Sequence, residues 1–208
     1  MLLVLACGSA SAANVALNSD VTLSGTFFTN GWGGGWVVDK STVVDGRFLP
    51  KNNRWDQGAV WWDARGGNTG QYITIDLGGS YSIYSFIAQV DDNDAYKLEY
   101  WDDGSGSWKT AWNIPNYNWY NGVNVWGMQT RPNPFNDNEQ YLLPASIVTS
   151  KLKLSGDMNN SDRLFSVSEI QAFGEPVPAP VPEPGTMLLL GSGLVGLAGY
   201  GRKRTVRK

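Results

Sequence analysis

Apolar and polar side chains alternate strictly through much of this chain, and the alternation predicts β-strands. In QYITIDL at 71–77, the odd-numbered positions from Ile73 to Leu77 are aliphatic and the even-numbered ones are Tyr, Thr and Asp. This is the period of a half-buried strand. The same pattern recurs in YSIYSFIAQV at 81–90, AYKLEYW at 95–101, SWKTAWNI at 107–114, SKLKLSG at 150–156 and RLFSVSEIQAFG at 163–174.

Turn residues separate these segments. Gly78, Gly79 and Ser80 predict a turn after the first segment, and DDGSG at 102–106 predicts a hairpin. Short strands at this spacing, without helical segments between them, indicate an all-β fold, an antiparallel β-sandwich.

Composition excludes several kinds of active site. The chain has no histidine and its single cysteine is Cys7, so it can form neither a Ser-His-Asp triad nor a Cys-His pair nor an intrachain disulfide. Five of its 16 Lys and Arg residues lie within 202–208, which leaves an acidic body. Because phosphate binding needs clustered basic residues, nucleic acid is not an expected partner.

The first 12 residues resemble the end of a secretory signal peptide. An apolar run from Met1 to Ala6 precedes the small residues ASA at 10–12, a cleavage-site pattern, although no positively charged segment precedes the run. We therefore expect a signal peptide at 1–12 that is clipped at its start. Acylation of Cys7 in a lipoprotein signal is the alternative.

The C-terminal region has three parts. EPVPAPVPEP at 175–184 predicts a stiff, extended spacer, residues 185–201 carry no charge, and Arg202, Lys203 and Arg204 follow at once. This order predicts a hydrophobic helix within 185–208 that enters the inner membrane through 185–201; a buried core helix or a frayed tail is the alternative.

The motif VPEP at 181–184, with the apolar run and the basic end, resembles a PEP-CTERM sorting signal of Gram-negative bacteria. The resemblance implies export, transient anchoring in the inner membrane and processing by an exosortase, in organisms that make exopolysaccharide. We expect the mature protein outside the cell or on its surface.

The body, residues 13–174, resembles the discoidin, or coagulation-factor type C, domain. The resemblance is carried by NVALNSDVTLSGT at 14–26, VVDG at 43–46, WW at 61–62, QYITIDLGGSYSI, YKLEYWDDGSGSWKT and SVSEIQAFG at 166–174. It implies a galactose-binding-like jelly roll, and bacterial relatives commonly bind carbohydrate. The chain departs from the pattern between 46 and 61 and at 115–138, where ligand specificity would be set.

The same resemblance implies a structural calcium ion. The carboxylates of Asp45 and Glu169 would bind it, with carbonyl oxygens from Thr42, Arg47 and Ser168. Calcium takes six to eight oxygen ligands, and this chain offers oxygen. Pro50 stands near the place of an expected hydroxyl ligand, for which Asn52 or Asn53 would substitute. In the alternative, Asp45 caps a turn and Glu169 lies on a solvated strand face.

Aromatic residues in the loops are the candidate glycan contacts, because sugar C–H faces stack on aromatic rings while Arg and Asn bond to hydroxyl groups. The candidates are Trp32, Trp36, Trp55 and Trp119, with Arg65 and Arg131 as donors. Packing inside the loops is an equal alternative for Trp32, Trp36 and Trp119. Core packing is preferred for Trp61, Trp62, Trp101 and Trp108.

The acidic run DDND at 91–94 predicts a turn between strands, with some affinity for cations, in preference to a glycosidase pair. The leading hypothesis is a secreted, non-catalytic carbohydrate-binding module, associated with exopolysaccharide or the cell surface. A structural or adhesive matrix protein that binds other proteins is the second hypothesis. A glycoside hydrolase or lyase is disfavoured because no separated acidic pair stands out.

Overall fold

The structure, a computed structural model, describes residues 13–31, 39–67 and 70–178. The described strands are β1 (Ala13–Asn14), β2 (Asp20–Ser24), β3 (Phe28–Asn30), β4 (Gln57–Asp63), β5 (Tyr72–Asp91), β6 (Tyr96–Asp102), β7 (Ser107–Ile114), β8 (Trp119–Tyr120), β9 (Val123–Asn124), β10 (Met128–Arg131), β11 (Tyr141–Gly156) and β12 (Leu164–Pro176). Two short 3-10 helices, Lys40–Val44 and Arg65–Gly67, lie in the loops.

The strands form an antiparallel β-sandwich, as predicted. They follow the order β3-β4-β12-β5-β11-β6-β7, with β1 on β12 and with β2 and β10 on β5. The first part of β5 pairs with β2, and its second part pairs with β12 and β10. Long bent strands therefore connect the two layers.

The core lies between the layers and is rich in aromatic rings. Trp62 stacks on Phe165 with 5.2 Å between ring centroids, and Tyr96 meets the edge of Phe165 at 5.5 Å. The alternating positions Ile73 and Ile75 are fully buried, which confirms the predicted face of this strand.

The predicted turn at 78–80 is wrong, because β5 runs through it without reversing. Gly78 has a φ of 71°, a conformation that other residues seldom adopt. The pairing with β11 shifts here, from Asp76 opposite Lys151 to Tyr81 opposite Thr149. The glycine thus bends the strand as a bulge does and does not end it. The hairpin at 102–106 is confirmed between β6 and β7.

The four tryptophans that were assigned to the core differ in how far they are buried. Trp61 and Trp62 are buried, as predicted. Trp101 and Trp108 are half-buried, lie outside the core cluster and pack on each other at 5.4 Å, so the prediction of core packing is wrong for this pair. They face each other across the β6–β7 pair, and the ammonium group of Lys153 lies 4.7 Å from the centroid of the Trp108 ring.

The chain divides into two compact units, Met1–Val177 and Pro178–Lys208. Strand β12 includes Glu175 and Pro176, the first two residues of the predicted spacer, and the amide of Val177 still bonds the carbonyl of Ser80 at 2.9 Å. Among the described residues, no helix has the length and apolar character that crossing a membrane requires. The predicted signal peptide and the predicted helix within 185–208 lie outside the described residues.

Candidate functional site

The two segments in which the sequence departs from the discoidin pattern contact each other. The amide of Met128 donates to the carbonyl of Asn53 at 2.9 Å, and the side chain of Gln129 donates to the Asn52 side chain at 2.8 Å. The two segments therefore build one surface.

The aromatic loop, residues 115–127, presents the most exposed aromatic side chains of this surface. Within it, β8 and β9 form a small hairpin whose turn residues, Asn121 and Gly122, have φ values of 51° and 81°. Both values lie in the left-handed region that two-residue hairpin turns require. Trp119 is 65% exposed and Trp126 is 54% exposed.

The base of the aromatic loop is tied to the sandwich by Asp92. The carbonyl of Asp92 accepts from the amide of Tyr117 at 2.6 Å, and its carboxylate accepts from the amide of Gly127 at 2.6 Å. Gly127 lies so close to Asn53 that an added Cβ would collide with the Asn53 carbonyl oxygen. The exposed tryptophans therefore project from a loop that is fixed at both ends.

Arg131, predicted to contact a ligand, lies in the interior. It is fully buried, and its guanidinium donates to the carbonyls of Pro115 at 2.9 Å and Asp91 at 3.0 Å, with further bonds to the carbonyls of Asp92, Gln129 and Thr130. It also lies 4.6 Å from the centroid of the Tyr117 ring. The structure contradicts its predicted role, because these bonds use the guanidinium to hold the aromatic loop.

Of the predicted ligand residues other than Trp119 and Arg131, the structure describes Trp55 and Arg65. Trp55 is half-buried, and its ring packs edge-to-face with that of Trp61, with 5.2 Å between the ring centroids. Arg65 is exposed and pairs with Asp63 at 2.8 Å. Trp32 and Trp36 lie outside the described residues, although the amide of Gly31, just before them, bonds the carbonyl of Asp56 at 3.0 Å.

Two exposed aromatic residues of this region were not among the predicted ligand contacts, Trp126 and the 50% exposed Phe135. Phe135 contacts Tyr120 of the aromatic loop at 5.7 Å between ring centroids. Their signal in the sequence was their position among Asn, Pro and Gly, where strand alternation is absent.

A second region, the Glu169 cavity, brings together the predicted calcium ligands. Thr42, Asp45, Arg47 and Ser168 line a cavity of about 230 Å³. Next to it, the carboxylate oxygens of Glu169 accept from the amide of Gly46 at 3.1 and 3.2 Å. The loop at 42–47 and strand β12 thus meet here, as the discoidin resemblance implies.

The electrostatics of this cavity suit a cation. Glu169 is fully buried, so the alternative in which it lies on a solvated strand face is wrong. Burial raises the pKa of Glu169 to about 8, and the nearby Asp45 carboxylate also raises it. Asp45 meanwhile accepts from the amide of Arg47 at 2.8 Å, so it caps its own turn.

The residues present fit a calcium ion in charge and donor type, since they are hard oxygen donors around a buried carboxylate. Within 13–31, 39–67 and 70–178, no three His, Cys, Asp or Glu side chains gather at one metal-binding position. Carbonyl oxygens would therefore have to complete any shell around Glu169 and Asp45.

Comparison with known proteins confirms the sorting motif and the fold. Residues 180–204 match the PEP-CTERM protein-sorting motif. A fucolectin from striped bass (Morone saxatilis) serum is similar in structure, with a TM-score of 0.54 and 12% identity over 83% of this chain. This chain covers 52% of that lectin.

Two solved carbohydrate-binding modules match with lower TM-scores. The family 32 module of Streptococcus pneumoniae EndoD gives 0.46 at 12% identity, over 77% of this chain and 98% of that one. A Clostridium perfringens module in complex with glcNAc-alpha-1,4-galactose gives 0.44 at 19% identity, over 80% and 96%. No curated protein matches this chain. At 12% identity the likeness to the fucolectin shows the fold alone, a galactose-binding-like sandwich, and no particular ligand.

Proposed function

We propose that this protein is exported and binds carbohydrate without catalysis, in the exopolysaccharide or at the cell surface. The observation that carries the proposal is the aromatic loop: two tryptophans project into solvent from a fixed frame on a galactose-binding-like sandwich. Exposed aromatic patches on a fixed frame are typical of binding surfaces. A loop that is already ordered also loses little conformational entropy on binding.

The sorting motif at 180–204 supports the location. On this proposal an exosortase processes the tail after export, and transient anchoring through 185–201 precedes release to the surface or the matrix. The body then acts outside the inner membrane.

Calcium is the proposed structural ion, bound beside Glu169 and Asp45. Its charge would favour the ionised form of the buried Glu169 carboxylate and would hold the loop at 45–47 against β12. Thr42, Arg47 and Ser168 would supply carbonyl oxygens. Gln89 already fixes the following segment, since its side chain accepts from the Leu49 amide at 2.6 Å and donates to the Leu49 carbonyl at 2.9 Å.

The test is a glycan array probed with the full-length chain, followed by titration with the best glycan. Trp119→Ala and Trp126→Ala should each weaken binding about tenfold, because losing ~60 Å² of apolar contact at ~25 cal/mol per Å² costs ~1.5 kcal/mol. Tyr72→Ala is the matched control, since Tyr72 is a 39% exposed aromatic residue at the start of β5. Circular dichroism should show all three variants folded.

Retention on no glycan would overturn the proposal. Capture of a defined protein from the extracellular fraction would then favour the structural or adhesive alternative. Repeating the array with a chelator tests the calcium part separately, because loss of calcium should lower stability and leave the tryptophan dependence of any remaining binding unchanged.

A further inference from the structure

The turn after β5 meets the loop before β12 at a junction that the proposed function does not use. This junction consists of residues 92–95 and 157–163. The amide of Ala95 bonds the carbonyl of Asn160 at 3.0 Å, and the amide of Asp157 bonds the carbonyl of Ala95 at 2.8 Å. The predicted turn at DDND is thus confirmed, and it is held from a distant part of the chain.

Polar side chains bridge the junction. One carboxylate oxygen of Asp94 accepts from the amide of Asp162 at 3.0 Å. The side-chain amide of Asn93 donates to the carboxylate of Asp162 at 3.0 Å. Asn93, Asp94 and Asp162 therefore form one network, and Ser161 precedes Asp162 in the chain.

Three oxygen atoms at this junction are buried without a hydrogen-bond partner: Oδ2 of Asp94, Oδ1 of Asn93 and Oγ of Ser161. The Asp94 side chain is completely buried. A buried, unpartnered polar atom costs about 1–3 kcal/mol, and more when it is charged. A partner bound at the junction would remove this cost.

The surrounding charges favour a cation as that partner. The Asp162 side chain, whose carboxylate accepts from Asn93 at 3.0 Å, places a second negative charge beside Asp94. Arg65 is attracted to Asp162, but its guanidinium is bonded to Asp63 at 2.8 and 3.0 Å. A carboxylate, an amide oxygen and a hydroxyl are hard donors, which suit calcium better than softer metals.

We propose that a divalent, oxygen-preferring cation of the calcium class binds at this junction, with Asp94, Asn93 and Ser161 as side-chain ligands. The site is separate from the Glu169 cavity, which different residues form. Asp92, two residues before Asp94, holds both ends of the aromatic loop. A cation at the junction would therefore also stabilise the base of that loop.

Calorimetric titration of the metal-free full-length chain with calcium chloride tests the proposal. Asp94→Asn should remove one equivalent of bound calcium, whatever Glu169→Gln does to a second. Ser161→Ala should weaken the same equivalent roughly five- to tenfold, because it removes one neutral ligand. Asp103→Asn, a change to an exposed carboxylate in the β6–β7 turn, should leave the stoichiometry and affinity unchanged.

Circular dichroism checks that each variant folds. If Asp94→Asn does not fold, the calcium affinity of Ser161→Ala tests the proposal. The proposal is overturned if neither variant changes the number or affinity of the calcium ions bound. It is equally overturned if the wild-type chain binds no calcium at millimolar concentrations, the weak end of the range for extracellular sites.

Discussion

Replacing Arg131 by Met should destabilise the sandwich and release the aromatic loop, although Arg131 contacts no solvent. Methionine has a similar length but no donors. The change therefore leaves the carbonyls of Pro115 and Asp91, bonded at 2.9 and 3.0 Å, without their partner. Burial lowers the pKa of Arg131 to about 10, so the guanidinium is still charged at neutral pH.

The expected cost is about 3–5 kcal/mol in the free energy of unfolding. Each buried carbonyl left without a donor costs about 1–3 kcal/mol. Part of this is recovered because a guanidinium no longer has to be desolvated. The Asp92 carboxylate also loses an attractive charge. For a domain stabilised by about 5–15 kcal/mol, this is a large fraction of the total.

Urea titration of the full-length chain, followed by tryptophan fluorescence, measures this cost. Arg131→Lys should recover only part of it, because one ammonium cannot replace a planar fork of five donors. Arg65→Met, at an exposed arginine, is the control and should change little. A cost below about 1 kcal/mol for Arg131→Met would refute the structural role assigned to these bonds.

In calcium-free solution, raising the pH from about 5 to 8 should lower the free energy of unfolding by up to roughly 4 kcal/mol through Glu169. The pKa of Glu169 is raised from 4.5 to about 8, so the folded state keeps a proton that the unfolded state has lost. Urea titrations at each pH measure the effect, and Glu169→Gln should make the free energy of unfolding depend less on pH. Gly127→Ala should lower the free energy of unfolding by about 2–3 kcal/mol, because its φ is 66° and the added Cβ meets a carbonyl oxygen. Gly122→Ala, with open space around the added Cβ, should cost only about 1 kcal/mol in the same urea titration. Tyr96→Phe should lower the free energy of unfolding by about 1–3 kcal/mol, since the buried hydroxyl makes two bonds of 2.8 Å to the backbone of Ser166; a thermal melt unchanged from wild type would contradict this.

Local patterns identified most strands correctly because alternation reports which side chains share a face. The segment 71–77, the hairpin at 102–106 and the turn at DDND needed only neighbouring residues to be recognised. The predicted turn at 78–80 failed because Gly-Gly-Ser suits a bulge as well as a turn. The choice depends on whether a partner strand continues alongside, and here β11 does.

Some candidate site residues could likewise be placed from the sequence, and others could not. Asp45 and Glu169 were paired through the discoidin resemblance, and the fold brings Gly46, beside Asp45, to the Glu169 carboxylate. Arg131 and Trp119 both lie in the Asn-rich insertion at 115–138, and both were candidate ligand contacts, with packing inside the loop as an equal alternative for Trp119. One is fully buried and the other 65% exposed, a difference that no local pattern shows.

An all-β fold, a sorting signal at the end of the chain and the absence of histidine chemistry all follow from the order and type of the residues alone. Which side chains are covered depends on contacts between segments far apart in the chain. Arg131 is buried because carbonyls at 91, 92 and 115 converge on it, and Asp94 because the loop before β12 closes over it. Burial sets the free energy of a charge, so it was the tertiary structure that made one predicted ligand residue a structural anchor and a turn residue a candidate metal ligand.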